Sequence, residues 1–248
     1  MALPHVAWLG HATALIDVGG TRVLTDPVLH RRVGALLRVA PAVAASAYRG
    51  IDAVLLSHLH SDHADLRSLR LIGADVRVLA PRGAGAWLRR RGLRGAEEIS
   101  VGASARVGAL RITAVPAGHD GRRHRLGPEA ETIGFVVRGE RSVYFAGDTD
   151  LFDTMAEVAD GVDAALLPVA GWGPTLGPGH LDPERAAEAA ARIRPRIAIP
   201  IHWGTLAPPF ISRGVSDVAA RRFAALVAAA SPGIDVRVLA PGQETSLA

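Results

Sequence analysis

The hexapeptide His58-Leu59-His60-Ser61-Asp62-His63 sets three imidazoles and a carboxylate directly after the apolar run Ala53-Val54-Leu55-Leu56, and no other feature restricts the fold of this chain so tightly. In an extended segment alternate side chains face one side, so His58 and His60 point together, while a following turn can aim Asp62 and His63 at a second point. Imidazole and carboxylate suit zinc, and also manganese or iron. A polar loop in which Asp62 only caps a helix beginning near Ala64 needs one short polar side chain and gives the histidines no purpose. The hexapeptide therefore asks for an apolar strand that ends at a metal-binding loop.

One loop cannot saturate two metals, so further ligands are expected where other strands run out. His119 follows Leu110-Arg111-Ile112-Thr113-Ala114-Val115 and the breaker Pro116-Ala117-Gly118, Asp148 follows Val143-Tyr144-Phe145-Ala146-Gly147, and His202 follows Ile197-Ala198-Ile199-Pro200-Ile201. Sheet-based folds place their sites at such carboxyl ends. Strand-like runs fall near 5–9, 12–18, 21–26, 52–57, 76–80, 109–115, 131–138, 141–146, 163–168, 196–201 and 234–239. Helical patterns fall near 64–72, 82–91, 150–160, 182–194 and 215–230, with Asp182-Pro183 reading as an N-cap followed by proline at the first helical position. By itself this alternation gives α/β or α+β. With 248 residues, 49% of them hydrophobic, residues 1–248 are expected to form one domain, without linker, low-complexity tract or short internal repeat.

Composition removes several classes of function. All 28 basic residues are arginine, and against 24 acidic residues the formal charge is only +4, so nucleic-acid binding is not expected. Cysteine is absent, which excludes disulfides. Neither a basic leader followed by an apolar stretch nor an uninterrupted apolar window of spanning length occurs, and a soluble, cytoplasmic protein is expected, with homo-oligomers left open. One basic cluster lies close to a ligand: Arg122, Arg123 and Arg125 follow His119 by three to six residues. Their guanidinium forks suit an anionic substrate, although a solvated loop explains them as well.

Taken in order, H-x-H-x-D-H at 58–63, Pro-Ala-Gly-His119, Phe-Ala-Gly-Asp148-Thr and Ile-His202-Trp-Gly-Thr resemble the metallo-β-lactamase superfamily. The resemblance implies an α+β fold, the four-layer αββα metallo-β-lactamase sandwich. It also implies that His58, His60 and His119 hold one metal, that Asp62, His63 and His202 hold a second, and that Asp148 bridges them. The segments Trp8-Leu9-Gly10-His11-Ala12-Thr13, Leu24-Thr25-Asp26-Pro27 and Gly179-His180-Leu181-Asp182-Pro183-Glu184 look like the branch containing N-acyl-phosphatidylethanolamine-hydrolysing phospholipase D, beside the ascorbate-6-phosphate lactonase-like proteins. The chain departs from the lipase in lacking its long amino-terminal extension and in the 122–130 stretch. True β-lactamases commonly use a cysteine ligand, which this chain cannot supply.

The chemistry implied is hydrolysis by a metal-bridging hydroxide on two divalent ions, zinc first, with Asp62 orienting the nucleophile. The expected substrate is small or lipid-like and anionic, a phosphodiester or other anionic ester; lactones, carboxylic esters and thioesters are the alternative. A non-hydrolytic metal or redox protein is disfavoured because no flavin-binding domain follows, and a nuclease because no inserted domain is present. His180, in the Gly/Pro-rich loop that begins at Gly171, is expected to donate a hydrogen bond or proton to the leaving group or oxyanion, a local structural bond being the plainer role. Asp26 is expected to brace the metal loop from behind, His11 either to approach the cleft or to lie buried against backbone, and Trp172 and Trp203 to wall the site. Trp8 and Trp87 read as core.

Overall fold

The computed structural model describes residues 3–124, 127–171, 176–209 and 216–248. The chain opens with strands β1 (His5–Gly10), β2 (Thr13–Val18) and β3 (Thr21–Thr25), joined by tight turns; Gly19 and Gly20, both at positive φ, close the second hairpin. A short pair, β4 (Arg32–Val33) and β5 (Leu36–Arg38), precedes β6 (Ala53–Leu55), α1 (Leu66–Ile72), β7 (Arg77–Pro81), α2 (Gly85–Arg89) and β8 (Ala96–Ile99). The remainder runs β9 (Ser104–Val107), β10 (Leu110–Pro116), β11 (Ile133–Arg138), β12 (Ser142–Phe145), α3 (Met155–Val158), β13 (Ala164–Pro168), α4 (Pro183–Ile193), β14 (Ile197–Ile201), β15 (Leu206–Ala207), α5 (Val218–Ala230), β16 (Asp235–Val236) and β17 (Glu244–Ser246).

Two seven-stranded sheets result, in the orders β17-β1-β2-β3-β6-β7-β8 and β9-β10-β11-β12-β13-β14-β16. In the first, pairing is antiparallel as far as β3 and parallel from β3 to β8. The second repeats the plan, antiparallel as far as β12 and parallel from β12 to β16. Strands β13 and β14 are buried along their whole length, which is why their sequences are unbroken apolar runs without polar alternation.

The inner faces of both sheets share one buried cluster, in which Val6, Trp8 and Ile16 meet Ile112, Phe135 and Phe145. Outside the first sheet, Leu69 of α1 and Trp87 and Leu88 of α2 pack on Val54, Val78 and Ala80. Outside the second, α4 and α5 bury their small apolar face, Ala186, Ala190, Phe223 and Val227. This is the four-layer αββα sandwich. Asp182 caps α4 by accepting from the Arg185 backbone N–H at 2.8 Å, with Pro183 next, as the sequence predicts. No helix among the described residues is long and apolar enough to cross a membrane.

Several features depart from the sequence expectation, among them β8, β9 and β17, which fall outside the expected strand runs. The helix expected over 150–160 contracts to Met155–Val158, because the residues before it are tied into the site: the Asp150 N–H donates to the Gly118 carbonyl at 3.0 Å and the Leu151 N–H to the Asp150 carboxylate at 2.5 Å. A third sheet, in the order β15-β5-β4, is built from strands of two or three residues. Segments that short carry no readable alternation.

Candidate metal centre

The hexapeptide leaves β6, an inner strand of the first sheet, and turns back on itself, since the N–H groups of His63 and Ala64 both donate to the His60 carbonyl, at 3.1 and 2.7 Å. That turn sends the residues before and after it to different places. His58 Nε2 lies 2.9 Å from His60 Nδ1, which lies 3.1 Å from His119 Nε2, so three ring nitrogens from two sheets converge. On the other side of the turn His63 Nε2 is 3.2 Å from His202 Nε2, with an Asp62 oxygen 4.0 Å from His63.

The tautomers follow from the outer ring nitrogens. His119 Nδ1–H donates to the Gly179 carbonyl at 2.8 Å, His202 Nδ1–H to the Ala170 carbonyl at 2.7 Å, and His63 Nδ1–H to Asp26 Oδ2 at 2.7 Å. His58 Nδ1 is 2.9 Å from Ser57 Oγ, whose own hydroxyl donates to Asp26 Oδ2 at 2.5 Å. With these protons placed outward, the inner ring nitrogens face one another, although against the effect of burial Asp148 and then Asp26 raise the His63 imidazole well above its ordinary value. Neutral nitrogens around one zinc ion, each about 2.0 to 2.1 Å from it, stand about 3.3 Å apart, close to the separations found. Burial also pushes the imidazoles of His58, His60, His119 and His202 down, which keeps them neutral and able to ligate.

Asp148, at the end of β12, stands between the two sets. One carboxylate oxygen is 3.2 Å from His63 Nε2 and 3.4 Å from His180 Nε2; the other is 3.2 Å from His202 Nε2. It also groups with His119 of the first set. Burial favours protonation of this acid, but the His202 and His63 rings hold it well below the usual carboxylate range. Its Oδ1 is buried without a hydrogen-bond donor, although His202 Nε2 is near. The conflict resolves once that nitrogen is read as a lone pair, its ring proton being on Nδ1: both atoms then offer electrons to a common cation. The donor set fits a divalent metal, and among the described residues those able to hold one fall into four groups, His58–His60–His119, His11–Asp62–His63–His202, Asp26–His58–His63 and His119–Asp148–His180.

His11 enters the second group more closely than expected. It is 2% exposed, its Nε2 lies 3.1 Å from Asp62 Oδ2, and its ring stacks on His202 with centroids 3.9 Å apart. Burial, then the His202 ring, lowers it to about 4, so it is neutral and donates Nε2–H to Asp62. The His11 carbonyl accepts from the His202 N–H at 2.9 Å and from Trp8 Nε1 at 2.8 Å. Positive φ is uncommon for residues with a Cβ, yet His11 (53°), Asp26 (31°) and His202 (64°) all adopt it. Strain is concentrated at the centre.

Asp26 is fully buried and accepts from His63 Nδ1–H and the Ser57 hydroxyl. His180 borders a cleft of about 330 Å³ together with His60, Asp62, Arg123, Asp148 and His202. Its Nδ1 is 3.2 Å from the carbonyls of Gly177 and Pro178, which leaves Nε2 toward Asp148. Arg122 is not part of the cleft lining, since it pairs with Glu129 at the surface. Trp203 is not a wall of the site either: it is 3% exposed and stacked on Trp8 with centroids 4.6 Å apart. Trp172 and Arg125 lie outside the described residues. Ser57, the Ala170 and Gly179 carbonyls and the contact between Arg123 and Trp87 were not legible beforehand; only Ser57, adjacent to the hexapeptide, gave any local signal.

Residues 21–203 match the family model described as beta-lactamase superfamily domain. The chain is 33% identical over 219 residues to a UPF0173 metal-dependent hydrolase of Methanopyrus kandleri, covering 82% of this chain and 86% of that protein. It is 30% identical to N-acyl-phosphatidylethanolamine-hydrolyzing phospholipase D 1 of Caenorhabditis elegans over 80% of its own length, and spans 63% of the worm protein. Among solved structures, Igni18, a metallo hydrolase from the archaeon Ignicoccus hospitalis, shares the fold with a TM-score of 0.75 at 24% identity, covering 98% of each chain.

Proposed function

Because the chain belongs to the metallo-β-lactamase superfamily and to its metal-dependent hydrolases, we propose that it cleaves a small anionic ester, a phosphodiester first, at a centre of two divalent ions, zinc before manganese or iron. His58, His60 and His119 would hold one ion, Asp62, His63 and His202 the other, and Asp148 both. Bound there, the ions supply Lewis acidity and a water of lowered pKa. The observation that carries the reading is the position of Asp148, within 3.2 Å of two imidazoles of one set, grouped with His119 of the other and with His180, and with a buried oxygen that no donor among the described residues satisfies.

The protein's own groups divide the remaining work. His11 holds one oxygen of Asp62, leaving the other to orient the attacking water. His180 is anchored through Nδ1 and presents Nε2 to the cleft, where it can deliver a proton to the leaving oxygen. The worm relative acts on a phospholipid by its name, and a phosphodiester of that kind leads the reading. A cleft of about 330 Å³ is at the small end of ligand sites, which keeps short carboxylic esters, lactones and thioesters as the second reading.

Elemental analysis of purified protein should return about two transition metals per chain, and Asp148→Asn should lower occupancy of both. Saturation near one, unchanged in His202→Ala, would overturn the two-ion centre. A hydrolysis screen with phosphodiester, phosphomonoester, lactone and thioester substrates then separates phosphorus from carbon as the atom attacked.

A further inference from the structure

Three arginines follow His119 in the sequence, and the fold gives only one of the described two to the cleft. Arg122 is spent on Glu129, while Arg123 lines the cleft with His60 and Asp62. Its Nη1 donates to the carbonyls of Leu59 and Ala64, at 2.6 and 3.1 Å, which flank the metal-loop turn. Its guanidinium carbon stands 4.7 Å over the centre of the Trp87 ring, and that ring is 5% exposed and rooted among the residues that seat α2 on the first sheet. The cation is thus held in one place from two directions.

What it lacks is an anion. Among the described residues Arg123 forms no ion pair, and its Nε–H and Nη2 groups donate to no protein acceptor. Burial and the neighbouring Arg91 both disfavour its charge, and Asp65 and Asp62 offset this only from a distance. Arg38 shows what a purely structural arginine looks like in this protein: with 8% exposure, its Nε, Nη1 and Nη2 are all taken, by the carbonyls of Pro41, Val28 and Leu9. Arg123 has the same rigidity with its fork left open, and a half-buried fork without a counterion is suited to bidentate capture of an oxyanion.

We propose that Arg123 is the specificity-determining anchor of the cleft, and that the substrate is a small ester carrying a phosphate or carboxylate separate from the bond cleaved. The kinetic arm of the test rests on the hydrolase reading; the binding arm does not. For the kinetic arm, the 4-nitrophenyl ester of succinic acid, with its free carboxylate, is compared with the corresponding methyl ester, which is neutral. Arg123→Gln should raise KM for the charged ester at least tenfold relative to the neutral one. Arg123→Lys should fall between, because it keeps charge without the fork. Equal changes for both esters would overturn the anchor. Metal content is measured in every variant; should Arg123→Gln shed metal, Trp87→Leu, which keeps both carbonyl bonds, carries the comparison with the same direction expected. If the wild-type protein cleaves neither ester, the hydrolase reading suffers alone, and the anchor is read from the Arg123 Nε–H resonance during titration of the metal-loaded protein with methanesulfonate or neutral dimethyl sulfone. A saturable shift with the sulfonate only supports the anchor, and no shift, or the same shift with both, overturns it.

Discussion

Asp26 accepts from three groups: the Ser57 N–H at 2.7 Å, the Ser57 hydroxyl at 2.5 Å and His63 Nδ1–H at 2.7 Å. Through Ser57 it also orients His58, so a single buried carboxylate sets one histidine in each metal group. Asp26→Asn should therefore weaken both sites, by about 10- to 100-fold in affinity as is usual for partners behind a ligand, in a competition titration with a chromophoric chelator. Loss at one site alone would show that the serine relay to His58 does not matter. His180 touches Asp148 and groups with it and with His119, outside the two histidine sets proposed for the metals. His180→Ala should keep both metals and lose about 10²- to 10³-fold in kcat for poor leaving groups, less for activated ones. Full activity on both would reduce it to a loop contact. At this scale the candidate ligands were legible because their residue types are written densely and in order along the chain. Their partners were not: Gly179 and Ala170 act through backbone carbonyls, 60 and 32 positions from the histidines they fix, and a carbonyl leaves no mark in residue identity.

Among the elements, the segment entering α4 carries more than its length suggests. Asp182 and Pro183 start the helix, Arg185 of its first turn pairs with Asp150 and reaches toward the His180 carbonyl, and Gly179 just before it braces His119. Gly179 has φ +79°, and a Cβ there would lie 3.0 Å from His119 Nδ1. Gly179→Ala should thus disturb the group His58–His60–His119 while leaving the other group's affinity near wild type, as the two transitions of the same chelator titration would report. Equal loss at both would point to a general loosening of the loop. The helix itself was legible from its pattern, its Asp182 cap and the proline at its first position. The β15-β5-β4 sheet was not, because its pairing of Leu206 with Arg38 joins residues far apart in sequence.

For the whole molecule, the candidate ligands come from both sheets: the hexapeptide follows β6 in the first, and His119, Asp148 and His202 follow β10, β12 and β14 in the second. Metal binding and sheet packing are accordingly linked. Anything that binds only the folded state at a thousand times its dissociation constant adds about 4 kcal/mol, so a strong chelator should lower the melting temperature by many degrees, with recovery on adding zinc. A melt indifferent to chelator would mean that the two sheets hold the site open without help. The layering was never legible from periodicity, which reports the face an element buries and not what covers it; the family resemblance supplied it.

The shared pairing plan of the two sheets has a consequence for how the acids are used. Matched by strand order, β3 of one sheet corresponds to β12 of the other, and the carboxylates leaving these strands are Asp26 and Asp148. The chain thus sets down one half-molecule pattern twice, with an aspartate at the same exit each time. In one half it accepts the outer ring proton of His63 and the Ser57 hydroxyl; in the other it faces the inner ring nitrogens of His63 and His202. Both carboxylates are buried, so it is the difference in their partners alone that gives the centre a back and a front.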